Sequence, residues 1–273
     1  MQNTFKQEEN VDTVLVGDTV IKEEERIISE PMDVDELKEK AKVSMDIIFI
    51  LDYSGSMHGK EEMTSDGFND VINKQKDFYE KENSEITCTV TVVTFSNCSK
   101  INIVYEKRNI FEVELMRKED IEPDGMTALY DGMGEAFKIV FENGRKRTYV
   151  IITDGEENDS NEFNKSSIKE IIDGFDKENI SVLYIGSNQD SISAGNSIGL
   201  DRNCSLNYSD ERTPQAWESA SRALTRVITG HTPSAIFLEE DRLVLENGNS
   251  NNLHINELIN GTPMTPVLRR NIR

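Results

Sequence analysis

The sequence predicts an α/β fold: a doubly wound, mostly parallel central sheet with one antiparallel edge strand and helices on both faces. Three observations carry that expectation. Met45 to Leu51 is apolar, β-branched and aromatic apart from Asp46, and it stops at Asp52 before a turn rich in serine and glycine. A run of this kind reads as a strand buried on both faces, and such strands belong mostly to parallel sheets covered by helices. Further strand-like runs then alternate with amphipathic stretches along the chain, the order of an α/β sheet.

Residues 1–44 form an acidic N-terminal extension with 12 acidic and 6 basic side chains. Val11 to Ile21 alternates around Gly17-Asp18 and reads either as a β-hairpin or as part of a disordered acidic arm. The apolar Val14, Leu15, Val16, Val20 and Ile21 favour the hairpin. Asp35 to Lys42 reads as a short helix leading into the central strand.

The main domain is expected over residues 45–228. Glu61 to Glu82 is helical, with Phe68, Val71, Ile72, Gln75 and Phe78 spaced to share one face. Ile86 to Phe95, rich in threonine and valine, alternates as a strand, and Lys100 to Tyr105 is its antiparallel edge partner. A loop follows through Gly125. Thr127 then begins a helix through Phe141, with Leu129, Met133, Ala136, Phe137 and Val140 inward. Arg147 to Thr153 is a second buried strand, ended like the first by aspartate, and Asn164 to Lys177 is a helix. Ile180 to Ile185 is a strand, Ser191 to Ile198 a short helix, Cys204 to Asn207 a last short strand, and Pro214 to Ile228 a closing helix carrying Trp217. Residues 229–273 read as a C-terminal extension. It is partly strand-like at Ala235 to Leu238 and Leu243 to Leu245, and then a mobile basic tail with two Thr-Pro pairs.

At 273 residues the chain suits one substantial domain with extensions, or two small ones. Three cysteines are too few for a disulfide framework and lack zinc-site spacing. The net charge of −21 disfavours nucleic acid and anionic membrane as partners. MQNTFKQEEN has no basic segment followed by an apolar one, and no apolar run approaches the roughly 18 residues of a membrane span. A soluble, cytoplasmic protein is the expectation.

Ligands in open α/β sheets collect at the carboxyl ends of the strands. Asp52, Ser54 and Ser56 sit there, three oxygen side chains at alternating positions, and hard donors of that kind suit Mg²⁺, Mn²⁺ or Ca²⁺ rather than zinc. Asp52-Tyr53-Ser54-Gly55-Ser56 resembles the Asp-x-Ser-x-Ser motif that opens the metal-ion-dependent adhesion site of von Willebrand factor A (VWA) domains. Gly125-Met126-Thr127-Ala128-Leu129-Tyr130-Asp131 resembles the family's threonine loop, and Ile151-Ile152-Thr153-Asp154-Gly155 the strand end that carries its last aspartate. The likeness spans residues 45–228. The runs Gly67 to Lys76 and Ile185 to Asp190 look most like intracellular bacterial or phage members.

The resemblance implies a Rossmann-like VWA fold and a metal site of Asp52, Ser54, Ser56, Thr127 and Asp154. Ser54, Ser56 and Thr127 would ligate directly, and Asp52 and Asp154 would act through water and by orienting the hydroxyls. The cofactor would be Mg²⁺, with Mn²⁺ or Ca²⁺ as alternatives. The partner would be a protein offering an Asp or Glu to an open position on the ion. The role would be that of a non-enzymatic adaptor.

Glu156, Glu157 and Asp159 read as a solvated helix start favoured by the helix dipole. Asp131 reads as a residue that orients the loop, and His58 as an exposed surface histidine. Two other functions fit parts of the sequence. One is an assembly protein with a structural metal, its contacts made by the terminal extensions. The other is a magnesium-dependent phosphohydrolase of the haloacid dehalogenase kind, suggested by Asp52, Thr94 and Asp154. Such an enzyme needs an acid two residues after its nucleophile, and that position is Ser54. The partner, the process and the oligomeric state are not legible in the sequence.

Overall fold

A computed structural model describes residues 44–81, 87–187 and 190–247. The readings made above for residues 1–43 and 248–273, the hairpin, the leading helix and the basic tail, lie outside these.

Six strands form one sheet: β1 (Met45–Asp52), β2 (Cys88–Phe95), β3 (Ile101–Asn109), β4 (Lys146–Thr153), β5 (Ile180–Ser187) and β6 (Ser205–Tyr208), in the order β3-β2-β1-β4-β5-β6. Every pairing is parallel except β2 with β3. The helices are α1 (Glu61–Lys81), α2 (Leu129–Lys138), α3 (Lys165–Asp173), α4 (Ser191–Ser197), α5 (Thr213–Ile228) and α6 (Glu239–Asn247). This is the doubly wound, mostly parallel sheet with one antiparallel edge strand.

All eight residues of β1 are buried, whereas β3 is largely exposed, as an edge strand must be on its open side. The two faces of β1 feed separate cores. Met45, Ile47, Phe49 and Leu51 pack with Phe68, Val71 and Ile72 of α1 and with Trp217, Ala220 and Leu224 of α5. Ile48 and Ile50 pack with Leu129 and Met133 of α2 and with Ile168 and Ile172 of α3. On the first face Phe49 meets Phe68 edge-on with centroids 5.1 Å apart and Trp217 at 6.2 Å. Gly67 lets Trp217 lie against α1, because a Cβ there would fall 2.2 Å from the indole Cδ1. Tyr79, rather than Phe78, completes the buried face of α1, and Phe78 is only partly covered.

The structure departs from the expected elements in α2 and in the C-terminal stretch. α2 starts at Leu129 and ends at Lys138, so Val140 lies beyond it and is 80% exposed. The C-terminal stretch is helical, not strand-like, over Glu239–Asn247. Runs as short as Leu243 to Leu245 cannot separate strand from helix by period. Glu239, Glu240 and Asp241 occupy the first turn, where the helix dipole favours acids. Asp241 is fully buried. It accepts from Arg222 Nε at 2.9 Å and Arg226 Nη2 at 2.5 Å on α5, and from the Leu238 amide at 2.9 Å.

Asp241→Ala leaves two enclosed guanidinium groups without their carboxylate and is expected to lower stability by about 3–5 kcal/mol, read from urea unfolding. Gly67→Ala drives a methyl into Trp217 and is expected to lower it by about 1–3 kcal/mol, despite the better helix propensity of alanine.

Candidate metal centre

Strand order reverses between β1 and β4, and that crevice is where open α/β sheets hold ligands. Asp52 ends β1 and Asp154 follows β4, so the two residues stand at neighbouring strand ends on either side of the switch point. Asp52 is buried. Its Oδ1 accepts the Ser54 amide at 2.7 Å and its Oδ2 the Thr153 hydroxyl at 2.6 Å. Burial pushes its carboxyl up to about 6, against the opposing pull of the hydrogen bonds from Thr153 and Ser54. Thr153 also accepts the Gly155 amide at 3.2 Å, which bends the chain after β4 toward the site.

The serine hydroxyls form a directed chain. Ser56 Oγ is 2.5 Å from Asp154 Oδ1, a carboxylate oxygen that accepts, and 3.0 Å from Ser54 Oγ. The Ser56 proton therefore points to Asp154, and Ser54 donates to Ser56. The third hydroxyl reaches the same place from another loop. A Cβ added at Gly155 would fall 2.8 Å from Thr127 Oγ1 and 3.4 Å from Ser56 Oγ. Both oxygens thus close over a position that glycine leaves open. Gly55 donates its amide to the Gly125 carbonyl at 3.1 Å, tying the serine turn to the threonine loop. Gly125 has φ +74°, a conformation that disfavours any side chain.

Thr127 lies in the loop two residues before α2. Its amide donates to Asn158 Oδ1 at 2.9 Å, and its carbonyl accepts from Asn158 and Asp159. The acids after β4 are not a solvated helix start, since the next helix begins only at Lys165. Glu157 accepts the amides of Tyr130, Asp159 and Ser160 and the Ser160 hydroxyl. Asp159 accepts the Cys98 amide at 2.9 Å. Asp131 accepts the amides of Asn161, Glu162 and Phe163, so it orients the loop after β4 rather than its own. Glu156 is exposed, and so is His58, whose ring stands 3.6 Å from Glu61.

The sequence reading missed Lys60 and Asp210. Lys60 Nζ is 2.5 Å from Asp154 Oδ2 and 3.0 Å from Asp210 Oδ1. Burial alone would pull this ammonium down, but its hydrogen bonds and charge interactions with both carboxylates prevail and raise it. Nothing in the sequence joins a lysine in the turn before α1 to acids 94 and 150 positions away.

Among the described residues, no three His, Cys, Asp or Glu side chains gather as a metal-holding group. The donor set here is of another kind, three neutral hydroxyls and two carboxylates on three loops. All five are hard oxygens, and they fit a hard divalent cation.

The family model for the von Willebrand factor type A domain matches residues 46–219. The chain belongs to the von Willebrand factor type A family. Among solved structures, the open form of the pilus adhesin SpaC from Lactobacillus rhamnosus GG superposes on this VWA domain with a TM-score of 0.52 at 12% identity, over 69% of this chain and 30% of that one. Proximal thread matrix protein 1 from the mussel byssus matches with a TM-score of 0.49 at 17% identity, over 67% of this chain and 46% of that one. A form of the byssus protein with a zinc-occupied MIDAS motif matches with a TM-score of 0.47 at 16% identity, over 70% of this chain and 46% of that one. The match thus spans less than half the length of each of these structures. No curated protein sequence matches. No helix among the described residues is long and apolar enough to cross a membrane.

The raised carboxyl of Asp52 gives a pH signature. A folded-state value near 6, against an unfolded value near 3.8, contributes stability that is fully present below pH 3.8 and lost as pH rises through 6. Stability of metal-free wild type relative to Asp52→Asn is therefore expected to fall by about 3 kcal/mol between pH 3.5 and 7.5. Denaturant melts of both proteins across that range check it.

Proposed function

We propose that this VWA domain is a metal-dependent protein-interaction module that captures an acidic side chain of a protein partner through a divalent cation. Ser54, Ser56 and Thr127 would hold the ion, while Asp52 and Asp154 orient the hydroxyls and bound waters. Neutral hydroxyls coordinate without cancelling the ion's charge, so the ion keeps an appetite for one more carboxylate. The observation that carries this reading is the convergence of Ser56, Thr127 and Asp154 around Gly155 at the switch point. Mg²⁺ is the preferred ion in this reading, with Mn²⁺ and Ca²⁺ accepted by the same donors.

The role is taken to be that of a non-catalytic adaptor in the cytoplasm. Ser54 stands where a phosphohydrolase of the kind considered would need an acid, and its hydroxyl is engaged in the chain to Ser56 and Asp154.

Calorimetric titration with Mg²⁺ and Mn²⁺ is expected to show one site in wild type. In Ser54→Ala/Ser56→Ala the affinity is expected to fall by more than about tenfold, and metal-loaded wild type is expected to retain a protein partner that EDTA releases. An unchanged affinity in the double variant would remove the site from these residues.

A further inference from the structure

Lys60 lies between the end of the serine turn and the start of α1, and its side chain is only 15% exposed. Its two partners sit on different loops. Asp154, whose side chain is 1% exposed, follows β4; Asp210 lies in the turn between β6 and α5. Asp154 divides its oxygens, giving Oδ2 to Lys60 and Oδ1 to Ser56. Asp210 Oδ1 meets both Lys60 at 3.0 Å and the Ser187 hydroxyl at 2.5 Å. One ammonium therefore reaches an oxygen of the carboxylate that would orient a metal-binding hydroxyl, and ties it to the turn that begins the closing helix.

We infer that Lys60 sets the affinity of the metal centre: its fixed positive charge competes with a divalent cation for the Asp154 carboxylate. This rests on the metal-binding reading above. The electrostatics have a definite sign. Asp52, Asp154 and Asp210, when ionised, together with Lys60 sum to a charge of −2, which one divalent ion brings to zero. Without Lys60 the same carboxylates sum to −3 and attract the ion more strongly. In a partly buried site two like charges a few ångströms apart repel far more strongly than in bulk water, so the competition is large enough to measure. Lys60 thus lowers affinity for the ion and leaves the bound ion less neutralised, which favours an incoming carboxylate. Asp210 moderates the effect by drawing part of the ammonium away from Asp154.

The test is calorimetric titration of the full chain with Mn²⁺ and with Mg²⁺, for wild type, Lys60→Met, Lys60→Arg and Asp210→Asn. Lys60→Met is expected to bind about tenfold or more tightly than wild type, and Lys60→Arg, which keeps the charge, to stay near wild type. Asp210→Asn leaves Lys60 to Asp154 alone and is expected to weaken binding several-fold in wild type and less in the Lys60→Met background. Thermal melts give a second readout. Metal-free Lys60→Met should melt below wild type and gain more from saturating Mn²⁺. Lys60→Met binding as wild type does, or more weakly, would overturn the inference, making the lysine a strut for Asp154 while leaving the metal site standing. Wild type and Lys60→Met both failing to bind either ion would remove the metal reading and this inference with it. Should Lys60→Met fail to fold, Asp210→Asn decides: unchanged or tighter binding overturns the inference.

Discussion

The structure turns on the buried carboxylate of Asp52. It ends a strand covered on both faces, and at that depth an unpaired anion is strongly disfavoured. It is satisfied by two donors from different segments, the Ser54 amide of its own turn and the Thr153 hydroxyl at the end of the neighbouring strand. One group thereby fixes the shape of the serine turn and its register against the loop after β4. Ser54 and Ser56 stand where they do because that turn is pinned, and Gly155 because Thr153 bends the chain behind it.

A second tier of bonds brings the threonine loop to the same point. Glu157, Asn158 and Asp131 are polar groups spent on backbone amides, and together they clip the start of α2 to the loop after β4. Thr127 is held by its backbone, which leaves its hydroxyl over Gly155. The surface is strongly acidic, yet these acids are bound to amides and do not point at the site. The charge that does bear on it is offset only in part, by Lys60 between Asp154 and Asp210.

Much of the fold was legible because burial leaves a local signature. Met45 to Leu51 is apolar at nearly every position, since both faces of a central strand are covered, and β3 alternates poorly because its surroundings are mostly solvent. The helix faces followed from spacing, with errors confined to the ends: Phe78 in place of Tyr79, and Val140 beyond the end of α2. The stretch after Gly230 was misread because its apolar runs are too short to carry a period. Its helix is held by Asp241, a charge that looks solvent-bound until two arginines of α5 enclose it.

The sequence by itself determined the order of strands and helices through α5, the depth of β1 and the placing of Asp52, Ser54 and Ser56 at its carboxyl end, because each depends on residue type and short-range spacing, while Thr127 and Asp154 were singled out by the resemblance of their loops to the family's motifs. Only the tertiary structure decided that Ser56 donates to Asp154, that Thr127 and Ser56 close over Gly155, and that Glu157 is a backbone clamp. It alone placed Lys60 beside Asp154 and Asp210. Those contacts join residues about 30 to 150 positions apart. They exist because a parallel sheet delivers the carboxyl ends of its strands to one edge, an outcome of chain crossing that no local pattern records.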